Sequence, residues 1–297
     1  MFWVRELIAR NAPVRMRPTR SPAELLSNRV TGAYLGLAIG DALGATVEFL
    51  TPNEIRHQIG VHREITGGGW LRLKAGQVTD DTTMSLALGK SILTQGHVDA
   101  KAAAEAFDAW MRAKPVDIGN TVRRNLIQFR KTGNPEAPAS EHDAGNGAAM
   151  RLLPVALACY GQPPETTIFS SRAQAHVTHN NTLSDAACET LIMMVHDLLA
   201  GHEPITIERE RAAALVHKHP VFAYEKKRCD NPSGYIVDTI QAVFQSFFAT
   251  DTFEDCLTDV VNRGGDADTT GAIAGMLAGA RYGQQAIPGR WLKAVDE

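Results

Sequence analysis

The sequence predicts an all-α protein, a compact single domain of helices, and three observations carry that prediction. Apolar residues recur at spacings of three and four along most of the chain. Alternating β-branched runs are scarce, and no hairpin signature interrupts the pattern. Two stretches place glycine at every fourth position: Gly32, Gly36, Gly40 and Gly44, then Gly271, Gly275, Gly279 and Gly283. A spacing of four lines one helical face. Glycine inside a helix costs about 1 kcal/mol relative to alanine, so four on one face call for the close approach of another backbone. These two helices are expected to be central and tightly packed, with each other as candidate partners. Charged and polar residues interrupt both stretches, which argues against a membrane-spanning GxxxG pair.

Taken in order, Ser21-Pro22-Ala23-Glu24 opens the folded part, with serine as N-cap, proline at the first helical position and glutamate at the third. Met84, Leu88 and Ile92 form the apolar face of a helix. Leu183, Ala187, Leu191, Met194 and Leu198 form another, which ends at Gly201 as C-cap, and Ile236, Ile240, Val243 and Phe247 a third. Loops rich in glycine or proline are expected at about residues 60–78, with Gly67-Gly68-Gly69-Trp70, and 131–147. Both are long enough to be functional.

Composition narrows the class. In 297 residues, 44% are hydrophobic and 21% charged, ordinary values for a globular protein with a well-buried core. A net charge of −3 gives no electrostatic case for nucleic-acid binding. No apolar run approaches the roughly 18 residues of a membrane span. Cys159, Cys188, Cys229 and Cys256 are scattered and read as reduced thiols of a cytoplasmic protein. Residues 1–20 carry Arg5, Arg10, Arg15, Arg17 and Arg20 against the single acid Glu6. They read as a basic N-terminal extension, ahead of a transit peptide or a partner-binding arm, and residues 21–297 as the domain.

The chemistry concentrates in two acidic clusters, Thr79-Asp80-Asp81-Thr82-Thr83 and Gly264-Gly265-Asp266-Ala267-Asp268-Thr269-Thr270. Each precedes an apolar helical run and holds more carboxylate than one helix cap can use. Brought together, four carboxylates would have to protonate or hold cations between them. Ligands that are all oxygen suit Mg2+, Mn2+ or Ca2+ rather than zinc, and two clusters suggest two ions. The alternative is that each merely caps its helix.

Around this anchor stand further candidates. Asp41 and Glu48, seven residues apart, have the spacing to share a helix face. Asp117 is an acid beside an apolar turn. Gly145-Asn146-Gly147-Ala148-Ala149-Met150-Arg151 leads into a helix-like stretch and offers backbone N–H groups and a guanidinium to a phosphate, or else is a plain turn. His176 and His179 lack the pattern of a zinc site, and His179 is better placed as a polar lining group. Tyr235 is available to stack on a base, although packing is the default.

Together these residues resemble the ADP-ribosylglycohydrolase family. The motifs are Gly40-Asp41-Ala42-Leu43-Gly44 through Glu48, Thr79 to Thr82, Gly145 to Arg151, Ser233-Gly234-Tyr235-Ile236-Val237-Asp238-Thr239, and Gly264 to Thr269. The resemblance runs from about Thr31 to Gly283 and implies an all-α fold with a dinuclear Mn2+ site, or Mg2+ in its place, at the base of a cleft. Its metal ligands would be Thr79, Asp80, Asp81, Asp266, Asp268 and Thr269, with Asp268 bridging. Glu48 and Asp117 would be catalytic, Glu48 beside the metals and Asp117 at the arginine end of the substrate. Gly145, Asn146, Gly147, Arg151 and Tyr235 would hold the diphosphate and adenosine, with His179, from the reading of the residues themselves, as a lining group of the same substrate site. The implied reaction removes ADP-ribose from arginine of a target protein by cleaving the N-glycosidic bond. The branch most like this chain implies the nitrogenase iron protein as target. It also implies a PII-type signalling protein and an ammonium-transporter membrane site as partners, with reversible peripheral membrane association through them. A non-catalytic ADP-ribose binder and a two-metal phosphoesterase are the competing expectations.

Overall fold

A computed structural model describes residues 21–295; the basic segment 1–20 lies outside the described residues. The helices, in order, are α1 (Pro22–Gly44), α2 (Pro52–Gln58), α3 (Asp80–Gln95), α4 (Ala100–Arg112), α5 (Asn120–Thr132), α6 (Leu153–Ala158) and α7 (Pro164–Ala175). They continue with α8 (Thr182–Ala200), α9 (Pro204–Ile207), α10 (Ala213–Lys218), α11 (Ile236–Ala249), α12 (Phe253–Val261), α13 (Ala267–Tyr282) and α14 (Gly289–Val295). Among the described residues no strand forms, and two isolated bridges, Gly68 with Leu73 and Gly145 with Tyr235, are the extended pairings. The all-α expectation holds.

Local signals act as expected. The Ser21 hydroxyl accepts from the Glu24 N–H at 3.2 Å, and Glu24 Oε2 accepts from the Ser21 N–H at 2.7 Å. Helix α8 stops at Gly201, whose φ of 89° few other residues tolerate. Ile236, Ile240, Val243 and Phe247 are all buried on α11.

Helices α1 and α13 form the centre. Every residue of α13 from Ala267 to Ala280 is buried, so the helix has no solvent face and needs no polar stripe. The glycines pair antiparallel: Gly32 with Gly279, Gly36 with Gly275, Gly40 with Gly271. A Cβ built on any of the six would sit under 3.0 Å from the partner's carbonyl oxygen, a distance that real side chains do not reach. The six together cost about 6 kcal/mol against alanine, which two backbones in direct contact must offset through dispersion and Cα–H···O contacts. The fourth pair does not form. Gly44 faces the Ala267 carbonyl instead, and Gly283, at φ 77°, terminates α13 against the Asn28 side chain.

This antiparallel register brings the C-terminal end of α1 beside the N-terminal end of α13. Helix α3 is tied to the same place by Asp41, in the last turn of α1 and fully buried. Its carboxylate accepts from the Thr79 N–H at 3.0 Å, the Thr79 hydroxyl at 2.9 Å, the Thr82 N–H at 3.1 Å and the Thr82 hydroxyl. Asp41 thus caps α3 from another helix and satisfies N–H groups that its own N-cap, Thr79, leaves open. The face shared by Asp41 and Glu48 does not exist, because α1 ends at Gly44 and Glu48 lies in the turn that follows.

Gly36→Leu or Gly275→Leu would drive the central pair apart. Overpacking of this kind costs about 3 kcal/mol or more, which lowers the melting temperature by roughly 6–12 °C in a domain of this size. Calorimetry of either variant checks this, and an unchanged transition would mean that the helices are not in contact there.

Candidate active site

The three helix ends enclose a cleft of about 470 Å3. Its floor holds both acidic clusters. Asp80, Asp266, Asp268 and Thr269 line it, and Thr79 and Asp81 lie directly beneath. Thr79 Oγ1 lies 2.9 Å from Asp41 Oδ1, 3.2 Å from Asp81 Oδ2 and 3.4 Å from Asp268 Oδ2, and Thr269 Oγ1 lies 3.4 Å from the same Asp81 oxygen. A hydroxyl has one proton to give, so most of these oxygens face one another without a proton between them. Asp81 Oδ1 is buried with no partner at all. Carboxylate oxygens of Glu48, Asp117 and Asp268 also fall within 4.8 Å of one another. The two residues expected to act on substrate therefore stand beside the carboxylate expected to bridge.

Electrostatics make the crowding costly. Burial raises the pKa of Asp81 and Asp268 well above the carboxylate range, and neighbouring carboxylates push them further. Burial likewise lifts Asp80 to about 7 and Glu48 to about 8, and raises Asp266. Asp41 reaches only about 6, because its four hydrogen bonds oppose its burial. Divalent cations would relieve this repulsion and satisfy the orphaned Asp81 oxygen. The donors are all hard oxygens, so the residues fit Mn2+ or Mg2+.

One wall is the chain from Gly145 to Met150. Asn146 ties it to the floor, donating from Nδ2 to Asp266 Oδ2 at 2.6 Å and from its backbone N–H to the Gly234 carbonyl at 3.0 Å. His179 backs this wall. A Cβ on Gly147 would sit 2.7 Å from the imidazole, which is why glycine stands there. Burial and the nearby Arg151 charge bring the His179 pKa to about 3, so the ring is neutral, with Nδ1 2.8 Å from the Thr178 hydroxyl.

Two expectations need correction. Residues 148–151 form a turn, with α6 starting only at Leu153, and Arg151 points inward. Its guanidinium is fully buried, bonded to Gln174 and Thr178 and lying 4.3 Å over the Phe107 ring, so it braces the wall and does not face a phosphate. Tyr235 does not line the cleft either; Gly234 does, while Tyr235 pairs its backbone with Gly145 and leaves its ring at the surface. The start of α5 opens on the same cleft beside Gly145, Asn146 and Gly147. Ile118, Gly119, Asn120 and Thr121 line the cleft, and no side chain caps the N-terminus of this helix. Sequence spacing also missed Trp70, whose indole Nε1–H donates to Glu48 Oε2 at 2.6 Å. The glycine-rich loop around Trp70 was its one visible sign.

The family model for ADP-ribosylglycohydrolase matches residues 22–297. The chain belongs to that family. It is 55% identical over 269 residues to the ADP-ribosyl-[dinitrogen reductase] glycohydrolase of Rhodospirillum rubrum, covering 91% of this chain and 90% of that protein. It is 34% identical over 293 residues to an ADP-ribosylarginine hydrolase of Pseudomonas putida, covering 93% of this chain and 76% of that one. A solved structure described as an ADP-ribosylglycohydrolase-related protein complex superposes with a TM-score of 0.80 at 38% identity, over 92% of this chain and 93% of that one.

The floor's charge has a measurable sign. In cation-free protein Asp268→Asn removes a repelling carboxylate and raises the melting temperature by a few degrees. The same change is expected to abolish any further rise from added Mn2+, the rise expected of the unaltered protein if its floor holds the ion. Thermal scans with chelator and with Mn2+ check both, and a fall in the first or a normal rise in the second would contradict the arrangement.

Proposed function

We propose that this chain is an ADP-ribosyl-arginine hydrolase that frees a target protein of ADP-ribose by cleaving the N-glycosidic bond. The observation that carries the reading is the convergence of both Asp-Thr clusters on one cleft floor, with the buried Asp81 oxygen left unpartnered, in a member of the ADP-ribosylglycohydrolase family. Residues 21–297 act as its single domain, preceded by the basic segment 1–20. The Rhodospirillum rubrum relative is named for dinitrogen reductase, and at 55% identity the nitrogenase iron protein is the target we assign to this chain as well. The PII-type signalling protein, the ammonium-transporter membrane site and the reversible membrane association they imply rest on the resemblance alone. Among the described residues no helix is long and apolar enough to cross a membrane.

Thr79, Asp80, Asp81, Asp266, Asp268 and Thr269 would hold two divalent cations, Mn2+ or Mg2+. When bound, such ions supply Lewis-acid positioning of ribose hydroxyls and a water of lowered pKa. The chain's own groups do the rest. Gly145 to Gly147, backed by His179, and the start of α5 receive the diphosphate and adenosine. Asp117 accepts hydrogen bonds from the guanidinium and orients the bond to be broken. As the bond from the anomeric carbon to nitrogen breaks, its electron pair stays on the arginine nitrogen and the carbon gains oxocarbenium character, which the surrounding carboxylates stabilise. A water oxygen bonds to that carbon. Glu48, or one of the floor aspartates, takes the water's proton, and the arginine nitrogen is the final acceptor.

The test is hydrolysis of ADP-ribosyl-arginine. Free ADP-ribose and arginine are expected, with activity lost on chelation and restored by Mn2+ or Mg2+ but poorly by Zn2+; release of AMP would point to diphosphate cleavage instead. Asp117→Ala should keep its metal and lose about tenfold to thousandfold in kcat, since misplacement by about 1 Å already costs about a hundredfold. Metal analysis beside single-turnover kinetics checks this, and full turnover would make Asp117 an ordinary loop acid.

A further inference from the structure

Two large aromatic side chains stand open at the mouth of the cleft, Phe49 at 62% and Trp70 at 52% exposure, with ring centroids 5.4 Å apart and planes tilted by 48°. Single exposed apolar residues are common, but these are held in place by their backbones. Phe49 has φ 64°, a strained value for a bulky residue. It is kept there because its N–H donates to the Gly265 carbonyl at 2.7 Å while the Gly265 N–H donates to Leu50 at 2.9 Å. Trp70 sits at the tip of a short loop closed by reciprocal hydrogen bonds of 2.8 and 2.9 Å between Gly68 and Leu73. Gly69, at φ 65°, lets that loop lie directly on the Ala45 carbonyl. The indole N–H is fixed on Glu48. Both backbones are thus clamped to the segments that carry Glu48 and Asp266, and the Phe49 ring rests against the anchored indole.

We propose that Phe49 and Trp70 form a docking rail for the polypeptide on either side of the modified arginine. The inference rests on the hydrolase reading above and names how that site selects a protein over a free modified amino acid. Continuity identifies the occupant. The rail adjoins the carboxylates of Glu48 and Asp117, the end of the cleft assigned to the arginine, while Gly145, Gly147 and His179 build the wall that receives the nucleotide. Whatever leaves the cleft past Glu48 is the main chain attached to that arginine. An apolar or cationic residue beside the arginine suits both the aromatic faces and the acidic surroundings. Aromatic side chains on a fixed backbone, with few rotatable bonds of their own, lose little freedom on contact, which makes them effective anchors.

The experiment compares two substrates, free ADP-ribosyl-arginine and a folded protein ADP-ribosylated on arginine, with the metal-loaded full chain. Phe49→Ala and Phe49→Asn are measured together, because asparagine accepts a positive φ and separates loss of the ring from backbone relaxation. In both variants the ratio of kcat/KM on the protein to kcat/KM on the free compound is expected to fall at least about tenfold, through a raised KM for the protein. An unchanged ratio in either variant overturns the rail while leaving the hydrolase reading intact. An unaltered enzyme that turns over neither substrate overturns the reading and the rail together.

Discussion

The contact on which the rest depends is backbone against backbone, where the glycines of α1 meet those of α13. Glycine pairs fix not only how close the two helices come but also their relative translation, because a slip by one residue would put Leu37 or Met276 where only a hydrogen fits. That translation decides which helix ends are neighbours. Asp41 and Glu48 at one end and Asp266 and Asp268 at the other become a single site because the central pair locks in one register. Asp41 then extends the arrangement to α3 through the Thr79 and Thr82 groups it holds. Rigid packing and chemical reactivity are therefore properties of the same two helices.

The floor of the cleft shows the opposite economy. Its carboxylates are buried, close and partly unpartnered, an arrangement that weakens the metal-free fold and is supported by the densely packed helices behind it. The N-termini of α3 and α13, both directed at this floor, give some relief through their dipoles. The remaining repulsion is what hard cations at the proposed site would relieve.

Much of this was legible in the sequence, and the limits were physical. The glycine spacing and the two Asp-Thr clusters announced themselves because each departs from what an ordinary helix tolerates. Arg151 misled because spacing tells that a guanidinium is near a loop but not whether it turns to solvent or to the Phe107 ring. Tyr235 is a related case, since its neighbour Gly234 lines the cleft while its own ring is left at the surface, which spacing alone does not report. The bond from Trp70 to Glu48 joins residues of different loops, and no periodicity reports such a pairing. The open start of α5 was hidden because Gly119 carries no capping side chain to mark it.

The pairing of Gly36 with Gly275 has a temporal meaning as well. These residues are far apart in sequence, so the defining contact of the fold is among the most non-local it contains, and closing so long a loop is slow compared with forming single helices. Ribosomes add about 5–20 residues per second, and through most of that interval α1 has been made while its partner has not. During synthesis its bare glycine face must wait, either unfolded or sheltered by other helices. The carboxylates of the two clusters stay apart, and solvated, until α13 emerges. The shared acidic floor is thus a late product of folding, assembled only when the two clusters meet.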